Sequence, residues 1–482
     1  MALPNMEVKV IEQAKVSPPP GSVPKTSLPL TFFDMPWLLN CNHMQRVYFY
    51  EFPHPTNHFL ETLLPSLKNS LSLTLQHFFP LAGNLVCPPP PAKPNILFTD
   101  GDSVSLTVAQ STADFHFLSA NHLLPVRAFD PFVPKFSPTR LEDGTRVEPL
   151  LAVQVTVFPN FGICIAVQRN HAGSDGRAFH HFMKSWALLS KTGGDLARLD
   201  RELRLPSHDR AAIKDQYGLE LEILNEWWSL GSTSKDEDER RVRDGRTIHN
   251  IRSTFPLSQV QMERLKQWVA KQLANDKSSS SFHMSSFIST CALIWVCLAK
   301  SVERNSAFNT DQERNSAVNT DKDDEPYYLA FVAECRSRVA FPLPTTYFGN
   351  CMTICFATVK RKELLAENGI VAAAKAIGKE VGELNKESLK TFENWLMKFK
   401  KIKESGWQHL TVTGSPKFGV YEADFGWGRP KKSETVHFRD ATTISLAESR
   451  DQKGGVEVGL ALNRDRMSRF SVILEETLTG LA

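Results

Sequence analysis

Residues 161–182 constrain the fold of this chain more than any other stretch. An apolar run is followed at once by a turn of small residues that carries His171 and Asp175, and a helical pattern begins near Gly176. This order predicts a buried strand, a tight turn and a helix in direct succession. A histidine in such a turn is either a reactive group aimed at a substrate or a structural residue, and Asp175 is either its partner or a local cap.

The composition leaves room for two hydrophobic cores. Of the 482 residues, 41% are hydrophobic and 23% are charged, as in ordinary globular proteins. Strand-like and helix-like runs alternate irregularly, which predicts an α/β protein with mixed sheets rather than a doubly wound parallel sheet. A charged, poorly periodic stretch predicts a crossover, so we expect an N-terminal lobe at 1–195, a linker at 196–222 and a C-terminal lobe at 223–482.

A tandem duplication interrupts the second lobe. The ten residues 303–312 are followed by a near copy at 313–322 and then by acidic residues. Because the repeat is polar and rich in turn residues, it predicts a disordered surface loop over 303–325 without a function of its own.

Charge, cysteine spacing and hydropathy exclude several classes of protein. The net charge of +3 is too small, and the basic residues too dispersed, for a nucleic-acid-binding protein. The eight cysteines lie mostly in apolar runs and lack zinc spacing, which predicts reduced core thiols and no metal site. No signal peptide or membrane span is evident, so we expect a soluble cytoplasmic protein.

Three chemical interpretations of His171 and Asp175 remain open at this point. They are two metal ligands, although no third or fourth ligand has recognisable spacing. Alternatively, Ala172-Gly-Ser174-Asp-Gly176 is a variant of the nucleophile elbow of serine hydrolases, with His249, His409 or His437 available downstream as the base. In the third interpretation His171 is itself a general base that removes a proton from a substrate hydroxyl, and Asp175 orients the turn.

Two further motifs favour the third interpretation. Together with His171-x-x-x-Asp175, the segments Asp424-Phe-Gly-Trp-Gly428 and Tyr347-Phe-Gly-Asn-Cys351 resemble the plant BAHD family of CoA-dependent acyltransferases, in its anthocyanin, flavonoid and phenolic glucoside branch. The resemblance covers nearly the whole chain, since Leu28–Asp34, Pro80–Gly83 and Ser445–Arg450 are similar to that branch as well.

This resemblance implies a fold and an activity. It implies two chloramphenicol-acetyltransferase-like lobes with flanking helices and an active-site channel at their interface, in a monomeric enzyme. It further implies acyl-CoA as co-substrate, no bound cofactor, and transfer of an acyl group, malonyl in the first place, to a sugar hydroxyl of an anthocyanin, flavonoid or phenolic glucoside. Transfer of a hydroxycinnamoyl group is the first alternative, and a serine hydrolase that uses Ser174 is a more distant one.

The resemblance also implies a role for each site residue. His171 is the catalytic base, and Asp175 is structural and paired with Arg336. The second motif supports the architecture of the CoA side through Asp424, Phe425, Gly426, Trp427 and Gly428. Thr413 corresponds to a hydroxyl near the reacting carbonyl, although the neighbouring Gly414-Ser415 departs from the usual Ser-Trp. Arg177 is our candidate for binding the free carboxylate of a malonyl donor, or else a solvated residue of the first helical turn.

Overall fold

The structure is a computed structural model that describes most of the chain. It covers residues 7–39, 43–136, 140–230, 247–274, 283–303, 323–386, 392, 398, 401–402 and 409–481. The predicted loop at 303–325 falls mostly on 304–322, which lie outside these ranges. Within them, the chain forms two compact units: the first joins 1–246 with 339–352 and 418–437, and the second joins 247–338 with 353–417 and 438–482. The lobe boundaries given above stay a prediction.

The first unit contains two sheets. Its strands are β1 (Val8–Val16), β2 (Thr26–Pro29), β3 (His43–Glu51), β4 (Asn84–Cys87), β5 (Asn95–Phe98), β6 (Val104–Ser111), β7 (Leu124–Pro125), β8 (Arg140–Glu142), β9 (Thr145–Pro149), β10 (Leu151–Phe158), β11 (Gly162–Asn170) and, from a distant part of the chain, β16 (Lys432–Thr435). One sheet has the order β1-β6-β10-β11-β3-β16, with β6 and β10 parallel and the other pairs antiparallel. The other has the order β2-β5-β4-β9-β8 and is antiparallel throughout.

The helices of the first unit cover these sheets. They are α1 (Pro36–Leu39), α2 (Thr56–His58), α3 (Leu64–His77), α4 (Phe115–Ser119), α5 (Gly176–Lys191), α6 (Leu196–Leu203) and α7 (Leu219–Leu230). Strands β10 and β11 are buried along their whole length, which explains why they read as continuous apolar runs rather than as an alternating pattern. One face of α5 is also buried, with Phe179, Phe182, Met183, Trp186 and Leu189 in the core.

A β-hairpin leads to His171. Phe158 pairs with Gly162, and from there β10 and β11 run antiparallel to Leu151 and Arg169. Asn160 in the turn has a φ of 66°, a left-handed conformation that asparagine tolerates better than most residues. The hairpin therefore fixes the register of β11, and the turn at His171 begins where β11 ends.

The second unit is built on one mixed sheet. Its strands β12 (Ile251–Leu257), β13 (Pro326–Glu334), β14 (Met352–Lys360), β15 (His409–Gly414), β17 (Thr443–Glu448) and β18 (Val456–Leu462) have the order β14-β13-β15-β17-β18-β12. Its helices are α8 (Gln259–Ala274), α9 (Ser286–Glu303), α10 (Arg361–Leu365), α11 (Gly369–Lys386) and α12 (Arg464–Thr479). Strand β15 is parallel to both β13 and β17, whereas β18 is antiparallel to both of its neighbours. The predicted class, α/β with mixed sheets and flanking helices, is confirmed.

Two global features bear on the sequence predictions. Among the residues that the structure describes, no helix combines the length and the apolar character needed to cross a membrane. Seven of the eight cysteines lie in these ranges, and all seven are buried and free of disulfide bonds.

Candidate active site

His171 opens a single 3₁₀ turn, His171–Gly173, between β11 and α5. The side chain of Asn170 caps this turn, because its Oδ1 accepts a hydrogen bond of 3.0 Å from the amide of Ala172. The predicted succession of strand, turn and helix is therefore present, and His171 is 7% exposed at its centre.

The imidazole of His171 lies against an aromatic ring. The indole of Trp37 stacks on it with 3.7 Å between ring centroids and 15° between ring planes. The imidazole Nδ1 is buried, and no carboxylate in the described ranges accepts a hydrogen bond from it. His171 thus differs from a triad histidine, whose ring is oriented by a carboxylate.

The surroundings of His171 favour its neutral form. Burial lowers its pKa well below the ordinary value of 6.5, and the positive charge of Arg169 and the nearby His437 lower the pKa further. Contacts with its own backbone and with Asn350 oppose this shift only in part. At neutral pH the ring is therefore unprotonated and able to accept a proton.

Asn350 holds the backbone of the His171 turn. Its Nδ2 donates hydrogen bonds to the carbonyl of His171 at 3.0 Å, to the carbonyl of Ala172 at 3.4 Å and to Oδ1 of Asp34 at 2.9 Å. All three partners are acceptors, so the amide nitrogen must face them. The backbone amide of Asn350 also donates to Asp34, at 3.1 Å.

Asp34 connects this asparagine to a buried cation. Its Oδ2 accepts hydrogen bonds from the backbone and the hydroxyl of Thr31, at 2.9 and 2.8 Å, and forms an ion pair with Arg210. The side chains of Asp34 and Arg210 are both almost completely buried. Both oxygens of the buried carboxylate are engaged in hydrogen bonds, so it is held in one position, and removal of either charged partner leaves an uncompensated buried charge.

Asp175 binds backbone amides. Its Oδ1 accepts a hydrogen bond of 2.9 Å from Ala178 and thereby caps α5, and its Oδ2 accepts one of 3.1 Å from Cys351. The charge of Arg169 also interacts with Asp175, although burial is the main influence on that guanidinium and lowers its pKa to about 10. The predicted partner Arg336 is buried in the second unit, where its guanidinium lies 3.2 Å from Glu334. The pairing of Arg336 with Asp175 stays a prediction.

Ser174 lacks the geometry of a serine nucleophile. It is fully buried, and its φ of −170° and ψ of 153° are those of ordinary extended backbone. Its hydroxyl has no hydrogen-bond partner in the part of the chain that the structure describes. Among the histidines proposed as its base, His249 and His409 are exposed residues of the second unit. The structure therefore offers no argument for a nucleophile elbow.

The segment Asp424–Gly428 forms a compact turn at the C-terminal end of α5. Oδ1 of Asp424 accepts hydrogen bonds of 2.9 Å from both Gly426 and Gly428. The two glycines have φ values of 110° and 105°, which other residues rarely adopt. Burial raises the pKa of Asp424, but hydrogen bonds from Lys191 and the two glycine amides outweigh this effect and lower it.

Aromatic contacts fix the same turn. Phe425 stacks on Trp427 with ring centroids 5.6 Å apart, and its edge meets Trp186 of α5 at 4.9 Å. Tyr50 of β3 contacts both rings and donates a hydrogen bond of 2.9 Å to the carbonyl of Ala423. These contacts hold the turn against α5 and β3, and the structural role that the resemblance implies for this motif stays a prediction.

The two residues proposed for substrate binding lie in different units. Arg177 is the second residue of α5 and is exposed. Thr413 is a half-buried residue of β15 in the second unit, paired with Ser445 of β17. Both assignments stay predictions.

Sequence reasoning missed Trp37, Asn350, Arg210 and Arg169. Asn350 and Asp34 belong to segments whose family likeness was recognised, but neither received a role. Trp37 lies three residues after Asp34, just beyond the segment that carries the family likeness. These residues lie in short segments that contain more polar and aromatic side chains than a buried core strand usually has. That composition is the sequence signal by which they could be found.

The fold and the buried histidine are those of a two-unit α/β protein with a reactive group in a turn, and comparison with known proteins gives its family. Residues 6–477 match the Transferase family. The chain therefore belongs to this family, that of the BAHD acyl-CoA-dependent acyltransferases, as its motifs predict.

Individual relatives agree with this assignment. The chain is 38% identical to coumaroyl-CoA:anthocyanidin 3-O-glucoside-6''-O-coumaroyltransferase 1 of Arabidopsis thaliana over 98% of each protein. It is 35% identical to malonyl-coenzyme A:anthocyanin 3-O-glucoside-6''-O-malonyltransferase of Dahlia pinnata, over 99% of this chain and 98% of the relative. The crystal structure of vinorine synthase has the same fold, with a TM-score of 0.65 at 19% identity over 98% of each chain. The protein is thus an acyl-CoA-dependent acyltransferase with acyl-CoA as its co-substrate.

No metal site accompanies this chemistry in the described ranges, where no three His, Cys, Asp or Glu side chains are grouped to hold an ion.

The role of Asn350 is testable by an isosteric substitution. We expect Asn350→Asp to lower the free energy of unfolding by about 3 kcal/mol at pH 7.5, because it places a carboxylate against three buried acceptors. The pKa of the new carboxyl is raised in the folded state, so the loss diminishes as the pH falls towards 5. Urea denaturation followed by tryptophan fluorescence at both pH values measures the effect.

Asn385→Asp is the matched control. Asn385 is an exposed residue of α11 whose Oδ1 accepts a hydrogen bond from Arg338, so a carboxylate is tolerated there and stability stays within about 0.5 kcal/mol of the parent. Equal stability of the two variants would contradict the role given to Asn350.

Proposed function

We propose that this protein transfers an acyl group, malonyl in the first place, from acyl-CoA to a sugar hydroxyl of an anthocyanin, flavonoid or phenolic glucoside. His171 is the general base of this reaction. The observation that carries the proposal is the buried, neutral imidazole at the turn between β11 and α5, in a chain of the acyltransferase family. The activities named for the relatives from Arabidopsis thaliana and Dahlia pinnata support the substrate class.

The reaction proceeds without a covalent enzyme intermediate. His171 takes the proton from the sugar hydroxyl as its oxygen attacks the thioester carbonyl of acyl-CoA, and a tetrahedral intermediate with an oxyanion forms. The carbon–sulfur bond then breaks, and the imidazolium returns its proton to the departing thiolate. The products are the acylated glucoside and free CoA, and His171 is neutral again. Thr413 is our candidate donor to the oxyanion.

The remaining motif residues serve as scaffold. Asp175 caps α5 and binds the amide of Cys351, contacts that support a structural role, and we propose Arg336 as its ionic partner. Asp424 binds Lys191 and the amides of its own turn, which supports a structural role for the second motif. In this proposal neither carboxylate exchanges a proton with the substrate.

The identity of the acyl donor is the part of the proposal for which a second candidate exists. Arg177 is exposed on the first turn of α5, and we propose that its guanidinium binds the free carboxylate of a malonyl group. A hydroxycinnamoyl donor has no such carboxylate, but a relative named as a coumaroyltransferase is 38% identical to this chain. Coumaroyl transfer is therefore the second candidate. The serine-hydrolase alternative receives no support, because Ser174 is buried and its hydroxyl has no hydrogen-bond partner among the described residues.

We further propose that the enzyme works as a cytoplasmic monomer that needs no membrane. The seven described cysteines, which are buried thiols outside any disulfide bond, support a reducing compartment.

Substitution of the base tests the mechanism. We expect His171→Ala to lower the rate of transfer by about 100- to 10,000-fold, because the proton acceptor is lost. Ser174→Ala is the matched control in the same turn and retains the rate within about threefold, since its hydroxyl takes no part. Chromatography of the acylated glucoside, together with titration of released CoA thiol, measures both. A fully active His171→Ala, or an inactive but folded Ser174→Ala, contradicts the mechanism.

Substitution of Arg177 tests the donor. We expect Arg177→Gln to raise the KM for malonyl-CoA by about 10-fold or more, because a charge-assisted hydrogen bond is lost. The KM for coumaroyl-CoA and for the glucoside stays the same. Arg201→Gln, an exposed arginine of α6, is the control and changes neither constant. A preference of the parent enzyme for coumaroyl-CoA, unaltered by Arg177→Gln, would establish the second candidate instead.

A further inference from the structure

The stacking of Trp37 on the ring of His171 is a contact to which the acyltransferase activity alone assigns no role. Trp37 lies in α1, three residues after Asp34, and its backbone amide donates a hydrogen bond of 3.2 Å to the carbonyl of Asp34. The same aspartate binds Asn350, which in turn binds the carbonyl of His171. The short segment that contains Asp34 and Trp37 therefore holds His171 in two ways. Asp34 supports the backbone of His171 through Asn350, and Trp37 contacts the imidazole ring.

The stacking geometry is specific. At 3.7 Å between centroids and 15° between planes, the two rings are in face-to-face contact over most of the imidazole. No carboxylate within the described residues orients the ring through Nδ1. The plane of the imidazole thus depends on the indole more than on any ionic partner.

The reaction also creates a charge that the surroundings disfavour. When His171 takes a proton, the imidazolium is buried beside Arg169 and His437, and both influences oppose it. Other charged groups near the turn are Asp175, which interacts with Arg169, and Asp34, which is paired with Arg210. Glu148 is a further one, and it accepts a hydrogen bond of 3.2 Å from Nδ2 of the capping Asn170. The face of an indole attracts a cation within about 6 Å, and tryptophan is the strongest of the aromatic residues in this respect.

We propose that Trp37 is a positioning residue for His171, which fixes the plane of the imidazole and stabilises the imidazolium formed during proton transfer. This attraction is greater for the charged ring than for the neutral one, so it lowers the barrier rather than merely strengthening substrate binding. The inference rests on the proposed role of His171 as the base.

Three substitutions test this role in the full-length enzyme. Trp37→Leu removes the aromatic face, Trp37→Phe keeps a smaller one, and Trp268→Leu removes a half-buried tryptophan of α8 in the second unit. We expect Trp37→Leu to lower kcat about 10-fold, with the KM of both substrates within about twofold of the parent. Trp37→Phe recovers most of kcat, and Trp268→Leu has the kcat of the parent.

The pKa of His171 gives a readout that a purely structural role would not move. It is followed by the ¹⁵N shifts of labelled histidine, and the signal is assigned from its absence in His171→Gln. Loss of the indole makes the imidazolium less stable, so the pKa falls further in Trp37→Leu and returns towards the parent value in Trp37→Phe. An unchanged pKa, an unchanged kcat, or equal losses in the leucine and phenylalanine variants would overturn the proposal.

The same set of variants separates this inference from the proposed function. If His171→Gln transfers the acyl group at the rate of the parent, His171 is not the base, and the proposed function fails. If His171→Gln is inactive and Trp37→Leu is fully active, the proposed role of His171 stands and only the proposed role of Trp37 fails.

Discussion

The hydrogen bonds around the Asp34 carboxylate are the interaction on which the site depends. This group is buried, is paired with Arg210 and accepts hydrogen bonds from Thr31 and Asn350. A carboxylate so completely engaged has one arrangement of low free energy, and it imposes that arrangement on its partners. Because Asn350 also donates a hydrogen bond to the carbonyl of His171, the position of the residue that we propose as the base depends on this buried charge.

Helix α5 connects the two motifs that lie far apart in the sequence. At its N-terminus Asp175 caps the helix and binds Cys351. At its C-terminal end Lys191 binds Asp424, and the hydroxyl of Ser190 donates a hydrogen bond of 3.1 Å to the carbonyl of Phe425. Each motif thus places one carboxylate at one end of the same helix. This arrangement accounts for the partners of both aspartates, which are backbone amides and a lysine.

The sequence predicts the local part of this arrangement well. The buried strand, the turn and the amphipathic helix after it follow from apolar runs and a capping aspartate, and these signals depend only on neighbours in the chain. The hairpin from Phe158 to Gly162 is predictable for the same reason. The contacts of His171 with Trp37 and Asn350 join distant segments, and no periodicity in one sequence encodes them. The family likeness identifies the motif that contains Asn350 but not the hydrogen bond from Asn350 to the His171 turn. The proposed ion pair of Asp175 with Arg336 stays a prediction.

The central claim is that His171 activates the acceptor directly and that the acyl group never becomes attached to the protein. Intact-protein mass spectrometry after incubation with malonyl-CoA or coumaroyl-CoA, without acceptor, tests this claim most directly. The account predicts that the mass of the protein stays unchanged and that free CoA is released only when a glucoside is added. A stoichiometric acyl adduct on Ser174 or His171, formed at the rate of turnover with release of CoA, would contradict it.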